Sequence, residues 1–293
     1  MAINIKSGQA IRPSHSLVGI IFSKDRPLQL EATLASFRLH HRNTVEIKLK
    51  VLYAVSSATY QSLYQKLTSE YSDVEFVKQG AFRVDLIDLV RNSNYVLFLV
   101  DDNLFVREFH IGTMVEALED YSDALGFSLR LGRNTTYCYT LDRPQRPPEF
   151  ETLSAGTLKF SWLNAECDFG YPVELSSSIY RTADLLPLLN EMLYESPNAL
   201  ESELAKQQER FQSTKPFLLC CQQSLVFSAP LNKVQNVFMN RVGQRSDYSP
   251  AMLAQAFAEG LRIDVMSFSK LVPLACHQEI ELVLLRVNSD NQF

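Results

Sequence analysis

Long hydrophobic runs are missing from this sequence of 293 residues. The longest, such as residues 95–100, have the length of a β-strand, whereas a membrane-spanning helix needs about 20 apolar residues. The first 20 residues include Lys6, Arg12 and His15 among polar neighbours and lack the apolar core of a signal peptide. The sequence therefore predicts a cytoplasmic protein without a transmembrane segment.

Cysteine is scarce and shows no pattern. The five cysteines are an odd number, two of them are adjacent, and none belongs to a Cys-x-x-Cys pair. This argues against a disulfide framework and against a zinc site built from cysteines. We expect all five to be apolar thiols in a reducing compartment.

A basic excess and the common nucleotide-binding signatures are also absent. The chain has 28 Lys and Arg against 33 Asp and Glu, a net charge of −5, which is unlike a nucleic-acid-binding protein. It contains no Gly-x-Gly-x-x-Gly, no Gly-x₄-Gly-Lys-[Ser/Thr] and no Gly-x-Ser-x-Gly. Dinucleotide-binding Rossmann domains, P-loop NTPases and α/β-hydrolases are therefore disfavoured.

What the sequence does contain is a regular alternation of apolar strands and amphipathic helices in its first half. Strands are predicted at 17–22, 47–55, 74–77 and 95–100, and helices at 28–39, 56–71 and 81–90. Connections of this length suit parallel strands. The fold class predicted is α/β, with a Rossmann-like, mainly parallel central sheet flanked by helices.

The second half is less regular, and the sequence predicts a mixed arrangement there. Strands are predicted at 124–129, 160–163, 174–180, 224–228 and 280–287, a loop at 143–151, and helices at 110–119, 182–194, 199–211 and 249–260. No internal repeat or linker divides the chain, which favours one compact unit.

Two polar segments follow predicted parallel strands directly. Residues 23–26 (SKDR) come after the first strand, and Asp101-Asp102-Asn103 comes after the fourth. Ligands of such sheets bind at the carboxyl ends of the strands. Adjacent carboxylates there suit Mg²⁺ or Mn²⁺, although a solvated acidic turn is an equally good interpretation of the pattern.

These segments carry a family resemblance. SKDRP at a strand end, followed about 75 residues later by an apolar strand ending in an acidic doublet, resembles nucleotide-sugar-dependent glycosyltransferases of the A-type fold, including uncharacterised bacterial members. That family uses an Asp-x-Asp-like motif. The resemblance implies a single glycosyltransferase domain over residues 1–293, with the donor half at 16–130 and the acceptor half at 131–293.

The resemblance also implies the ligands of the donor half. A nucleoside diphosphate sugar, with UDP favoured, would donate its sugar to the hydroxyl of a glycan or other acceptor in polysaccharide biosynthesis. Asp102 would hold Mn²⁺ or Mg²⁺, assisted by Asp101, which would otherwise face the ribose, and by His277 from late in the chain. A lone histidine such as His277 is more often a structural hydrogen-bonding group.

Four further residues are candidates for the nucleotide. Ser23 lies at the first strand end, Asp25 can accept from the base or ribose, and Arg26 can bind a phosphate with two hydrogen bonds. Arg83 lies near the expected donor pocket. The structural alternative for Asp25 is that it caps the helix beginning at Pro27.

On the acceptor side, inverting transfer needs a base for the acceptor hydroxyl. Glu201 is the first choice because it lies near a predicted helix start, with Glu203 and Asp168 as alternatives. A glutamate favoured there by the helix dipole is the structural interpretation. Trp162 is either an acceptor platform or a core residue.

Two other functions remain open from the sequence. A nucleotidyltransferase also combines a parallel sheet with a metal-binding aspartate, but SKDRP lacks the glycines of its usual signature loop. A non-catalytic descendant that binds a glycan or a partner protein would be indifferent to Mn²⁺.

Overall fold

The computed structural model describes residues 16–42, 47–234, 241, 243 and 248–286. The strands are β1 Leu17–Lys24, β2 Ile47–Ala54, β3 Glu75–Lys78, β4 Tyr95–Val100, β5 Asn103–Phe105, β6 Ala124–Ser128, β7 Tyr137–Cys138, β8 Arg143–Pro144, β9 Glu151–Thr152, β10 Thr157–Ser161, β11 Ser178–Arg181, β12 Phe217–Cys221, β13 Val226–Ser228, β14 Leu261–Ile263 and β15 Leu284–Arg286. The helices are α1 Pro27–His40, α2 Ala58–Glu70, α3 Phe82–Val90, α4 Ile111–Asp120, α5 Thr182–Glu191, α6 Pro197–Lys206 and α7 Pro250–Ala258. His15 lies outside the described residues.

A nine-stranded sheet in the order β3-β2-β1-β4-β11-β6-β12-β10-β9 forms the centre of the molecule. The first four strands of that order are parallel, as the sequence predicts, and β6 and β12 are also parallel. β11 runs antiparallel between β4 and β6, and β10 is antiparallel to both of its neighbours. The mixed α/β fold class with a mainly parallel sheet is thus confirmed.

The alternation of side chains along β1 divides the core into two layers. Leu17 and Ile21 pack in the layer beneath α1, α2, α4 and α7, whereas Val18, Ile20 and Phe22 pack in the layer beneath α3, α5 and α6. A strand covered on both faces must be apolar throughout, which explains the continuous run in β1. The two layers leave the carboxyl ends of β1 and β4 as the polar edge between them.

The second half departs from the predicted elements in several places. β12 and β14 were not predicted, and the strand predicted at 174–180 begins only at Ser178. Of the strand predicted at 280–287, residues 280–283 are irregular, Leu284–Arg286 form β15, and residue 287 lies outside the described residues. Ser177 has a φ of 121°, a conformation that L-residues rarely adopt, so the chain bends just before β11. The predicted loop at 143–151 includes β8 and the first residue of β9.

All five cysteines are free thiols, and Cys138, Cys220 and Cys276 are buried. Among the described residues, we find no helix with both the length and the apolar character needed to cross a bilayer.

Glu31 is a buried carboxylate on α1, away from the polar edge. Tyr71 Oη donates to its Oε1 at 2.9 Å, and Arg262 Nε lies 3.9 Å from the same oxygen. Burial raises the pKa of Glu31 to about 7, although Arg262 acts in the opposite direction. The folded protein therefore holds a proton on Glu31 more tightly than the unfolded chain does.

From this we expect a pH-dependent difference in stability between the wild type and Glu31→Gln. A raised folded-state pKa gives stability that is present below the ordinary pKa and is lost as the pH rises through about 7. Between about pH 5 and about pH 8, the wild type should lose on the order of 2 kcal/mol of unfolding free energy relative to Glu31→Gln. Urea denaturation at both pH values measures it, and exposed Glu108→Gln should show no such change.

Candidate active site

Asp101 lies at the junction of β1 and β4, because Phe22 pairs with Val100, the last residue of β4, and β1 continues only to Lys24. Its amide donates to the Phe22 carbonyl at 3.1 Å. Its carboxylate accepts from Ser23 Oγ at 2.9 Å, from the Lys24 amide at 3.2 Å and from Arg26 Nη1 at 3.0 Å. Asp101 is therefore buried and its two oxygens are both engaged by the protein.

Asp102 is held differently. Its Oδ2 accepts from Arg26 Nη1 at 3.3 Å, whereas its Oδ1 is buried and has no hydrogen-bond partner within the part of the chain that the structure describes. Burial raises the pKa of Asp102 to about 6, with Arg26 lowering it and Asp101 raising it further. A buried polar atom without a hydrogen-bond partner is unfavourable, so Asp102 Oδ1 is the described atom at this sheet edge that most needs a ligand.

Arg26 connects this doublet to a later segment of the chain. Its Nε donates to Asn232 Oδ1 at 2.9 Å, and its Nη2 donates to the Asn232 carbonyl. The Arg26 side chain is 13% exposed. Its guanidinium binds the two aspartates and Asn232 and does not project freely into a pocket. The sequence predicted Arg26 as a phosphate ligand and gave no indication of these partners.

Ser23 and Asp25 have structural contacts of their own. Ser23 Oγ also lies 2.5 Å from Tyr64 Oη, which accepts from the Arg26 amide at 3.3 Å. Asp25 has a φ of 54° and accepts from the Ser56 amide at 2.8 Å. It makes no cap bond to α1, so the structural interpretation of Asp25 as a helix cap is wrong.

Asn103 connects the acidic doublet to the residues around Ser176, which lie on the side where the sequence predicts the acceptor (the predicted acceptor side). Its Oδ1 accepts from the Val100 amide at 2.8 Å, which fixes the turn that carries the doublet. Its Nδ2 donates to Ser228 Oγ at 2.9 Å and to the Ser176 carbonyl at 3.4 Å. The sequence noted Asn103 only as the residue after the acids.

A buried group of charges lies on the predicted acceptor side. Arg130 Nε lies 3.7 Å from Glu174 Oε2, and Arg130 Nη1 donates to Ser176 Oγ at 3.3 Å. Glu174 also accepts from the Ser176 amide and the Ser178 hydroxyl. Sequence reasoning missed Arg130 and Glu174, although Arg130 follows the apolar strand β6 as Asp101 follows β4.

Glu201 belongs to this group. It lies in the first half of α6, whose N-terminus is capped by Ser196, and its Oε1 accepts from the Leu175 amide at 3.2 Å. Burial raises its pKa, Glu174 raises it further, and Arg130 lowers it. A glutamate with a raised pKa beside a fixed cation has the properties of a general base.

The two alternatives to Glu201 lie in different surroundings. Glu203 pairs with Lys206 at 2.6 Å on the outer side of α6. Asp168 is buried, and its Oδ2 has no hydrogen-bond partner among the described residues.

His277 is brought next to the site by its backbone, since it forms a bridge with Ser228, which pairs with Asn103. Its ring stacks on Tyr139 with centroids 6.4 Å apart. Burial lowers its pKa to about 4, with Arg130 acting in the same direction and Asp168 opposing. His277 is thus a neutral imidazole whose charged surroundings are on the acceptor side.

The metal site expected from the sequence is not assembled by the described residues. Within ranges 16–42, 47–234 and 248–286, no group of three or more His, Cys, Asp or Glu side chains could hold a metal ion. Both oxygens of Asp101 accept hydrogen bonds from the protein, whereas Asp102 Oδ1 has no hydrogen-bond partner among the described residues. Mg²⁺ commonly takes one or two protein carboxylates together with phosphate oxygens, so Asp102 fits a divalent ion only when a nucleotide supplies further ligands.

Two of the predicted residues serve the packing of helices and loops. Arg83 Nε donates to the Leu189 carbonyl at 3.2 Å and ties α3 to the end of α5. Trp162 is 4% exposed and donates from Nε1 to the Lys215 carbonyl at 2.8 Å, so its ring is a core residue. An open cavity lined by Tyr137, Tyr139 and His277 lies on the acceptor side instead.

Comparison with known proteins gives one sequence relative. No family model matches the chain. The bifunctional glycosyltransferase pgtA of Dictyostelium discoideum is 31% identical over 252 residues, which is 76% of this chain and 33% of pgtA. The chain therefore spans about a third of the length of this relative.

Solved structures of glycosyltransferases are more distant. Staphylococcus aureus TarS is 12% identical with a TM-score of 0.48, over 73% of this chain and 36% of TarS. The mannosyltransferase PcManGT from Pyrobaculum calidifontis, in complex with GDP-Man and Mn²⁺, is 9% identical with a TM-score of 0.47, over 87% of this chain and 73% of PcManGT.

The relationship predicted from SKDRP and the acidic doublet agrees with the relationship found by sequence comparison. By sequence, the chain is therefore similar to about a third of pgtA, a bifunctional glycosyltransferase.

Proposed function

We propose that this chain transfers a sugar from a nucleoside diphosphate sugar, with a UDP sugar favoured, to an acceptor hydroxyl with inversion. The observation that carries the proposal is the junction of β1 and β4. There Ser23, Arg26 and Asp101-Asp102 meet, and Asn103 links them to Glu201's neighbours through Ser176. Donor and acceptor chemistry would thus be adjacent, in a relative of pgtA.

On the donor side, the nucleotide would bind at the carboxyl ends of β1 and β4, the usual ligand edge of such a sheet. Asp102 would be the residue of the doublet that serves the donor, because its Oδ1 has no protein partner in the described ranges. A Mn²⁺ or Mg²⁺ ion bound with the nucleotide would neutralise charge on the departing diphosphate. Asp101 would hold Arg26 and the turn in place rather than contact the ligand.

On the acceptor side, Glu201 would take the proton of the attacking hydroxyl. The Leu175 amide orients its carboxylate. Burial raises the pKa of Glu201, and Arg130 opposes that effect in part. The open cavity with Tyr139 and His277 would receive the acceptor, since aromatic faces and a neutral imidazole suit a sugar ring.

A ligand screen by thermal unfolding tests the proposed donor site. Thermal unfolding is followed with nucleoside diphosphates and sugar nucleotides, each with and without Mn²⁺. A ligand at about 100 times its Kd should add about 2.7 kcal/mol of unfolding free energy, which is visible as a raised Tm. We expect one nucleotide to raise the Tm of the wild type and to lose this effect in Asp102→Asn.

The matched control is Asp73→Asn, because Asp73 is an exposed aspartate paired with Arg38 on the surface. It should respond to the nucleotide as the wild type does. If no nucleotide raises the Tm at saturating concentration, the proposed donor site is wrong, and a non-catalytic binding function becomes the better account.

A further inference from the structure

The acidic doublet carries its own counter-charge. Arg26 Nη1 lies 3.0 Å from Asp101 Oδ1 and 3.3 Å from Asp102 Oδ2, so a single nitrogen bridges the two carboxylates. The side chains of Arg26, Asp101 and Asp102 are 13%, 5% and 15% exposed. Charges this well shielded from water interact more strongly than surface ion pairs do.

Arg26 is fixed on its other side as well. Asn232 accepts from its Nε and Nη2, and Asn232 Nδ2 itself donates to the Tyr248 carbonyl at 2.8 Å. The Arg26 amide donates to Tyr64 Oη. A guanidinium with partners on both sides does not swing away without breaking several hydrogen bonds.

This arrangement leaves little for a metal ion. The oxygens of Asp101 accept hydrogen bonds from Ser23, Lys24 and Arg26. Among the residues that the structure describes, Asp102 Oδ1 is the oxygen of the doublet that has no hydrogen-bond partner. A divalent ion takes about six oxygen ligands, several of them from water or phosphate when the protein supplies few. An ion at Asp102 would also lie close to the positive charge of Arg26.

We propose that the Arg26 guanidinium balances the negative charge of Asp101 and Asp102. We further propose that these two carboxylates bind no divalent cation until a bound nucleotide supplies phosphate oxygens as additional ligands. The proposal rests on the function proposed above and deepens it by naming the group that balances the negative charge of the two aspartates in the absence of a metal ion. Arg26 would be a positioning residue that couples metal entry to nucleotide binding.

The test is a titration of Mn²⁺ into the nucleotide-free full chain, with free Mn²⁺ measured by electron paramagnetic resonance. We expect the wild type to bind Mn²⁺ at the doublet no more tightly than about 1 mM. In Arg26→Gln, the two carboxylates lose their cation, and Mn²⁺ binding should become at least about tenfold tighter. That gain should vanish in the Arg26→Gln, Asp102→Asn double variant.

Two further variants serve as controls for the Mn²⁺ titration. Arg38→Gln makes the same change at an exposed arginine and should leave Mn²⁺ binding as in the wild type. If Arg26→Gln does not fold, Arg26→Lys retains the positive charge and should, like the wild type, exclude Mn²⁺. The proposal is overturned if the nucleotide-free wild type binds Mn²⁺ at micromolar concentration and Asp102→Asn abolishes that binding.

The outcome of the Mn²⁺ titration can be distinguished from the outcome of the test of the proposed function. Tight Mn²⁺ binding without nucleotide overturns the role of Arg26 and leaves the transferase proposal standing. Failure of every nucleotide to raise the Tm overturns the transferase proposal and leaves the titration of Mn²⁺ alone interpretable.

Discussion

Replacing Glu201 by glutamine is expected to lower the rate of sugar transfer by about 10²- to 10⁴-fold, the usual contribution of a general base. Glutamine keeps the size of the side chain and can still accept from the Leu175 amide, so the loss should arise from the missing base. The effect should appear in kcat, and the rise of Tm with nucleotide should be unchanged.

The matched control is Glu203→Gln, two residues further along α6. Glu203 is partly exposed and pairs with Lys206, so we expect its loss to change transfer by less than about twofold. Equal rates for Glu201→Gln and the wild type would refute the assignment and make Asp168 the next candidate. A large loss in both variants, with lowered Tm, would indicate damage to α6 instead.

The pH profile gives an independent readout for Glu201. Because burial raises its pKa, the acidic limb of the rate profile should lie above the ordinary range of a glutamate, with activity increasing as Glu201 ionises. Glu201→Gln should lack this limb, whereas a purely structural effect would lower the rate equally at every pH.

Replacing Arg130 by methionine is expected to destabilise the folded protein by about 3–5 kcal/mol, as when one partner of a buried ion pair is removed. Arg130 is 4% exposed and its Nε faces Glu174 at 3.7 Å. Without Arg130, the Glu174 carboxylate would remain buried with only neutral donors, Ser176 and Ser178, around it. Urea denaturation, checked for a single transition, measures the loss.

A second substitution tests the cause. Arg130→Met combined with Glu174→Gln removes both charges, so part of the lost stability should return, and a double-mutant cycle gives the coupling energy. Arg210→Met, which removes a surface partner of Glu191, should cost no more than about 1 kcal/mol. A loss below about 1 kcal/mol for Arg130→Met would contradict the importance of this pair.

The first half of the fold was predictable because its signals are local. β1 and β4 are largely continuous apolar runs, whereas β2 and β3 combine apolar with charged residues. Polar residues or glycine follow each of the four strands within a few positions, so β1 to β4 were found in order. The parallel register then brings 23–26 beside Asp101-Asp102 without further information. The second half is built from antiparallel insertions, and nothing local in 178–181 indicates that β11 lies between β4 and β6.

The candidate site was predicted in part. The acidic doublet and Ser23 meet as expected, and Glu201 lies near a helix start in a charged cluster. Arg130 and Glu174 were missed because a buried ion pair from separate strand ends leaves no spacing pattern in the sequence. The environment of His277 could not be foreseen either, since it depends on Arg130, Asp168 and Glu174 from three other segments.

The sequence by itself determined the α/β class, the relation to glycosyltransferases and the edge of the sheet where the acids lie. These follow from hydrophobic periodicity and from short motifs, which act over a few residues. Only the tertiary structure decided that Arg26 pairs with the doublet and that His277 contacts Tyr139. The partner of a charged side chain depends on which distant groups share its buried space, and that is fixed only when the core packs.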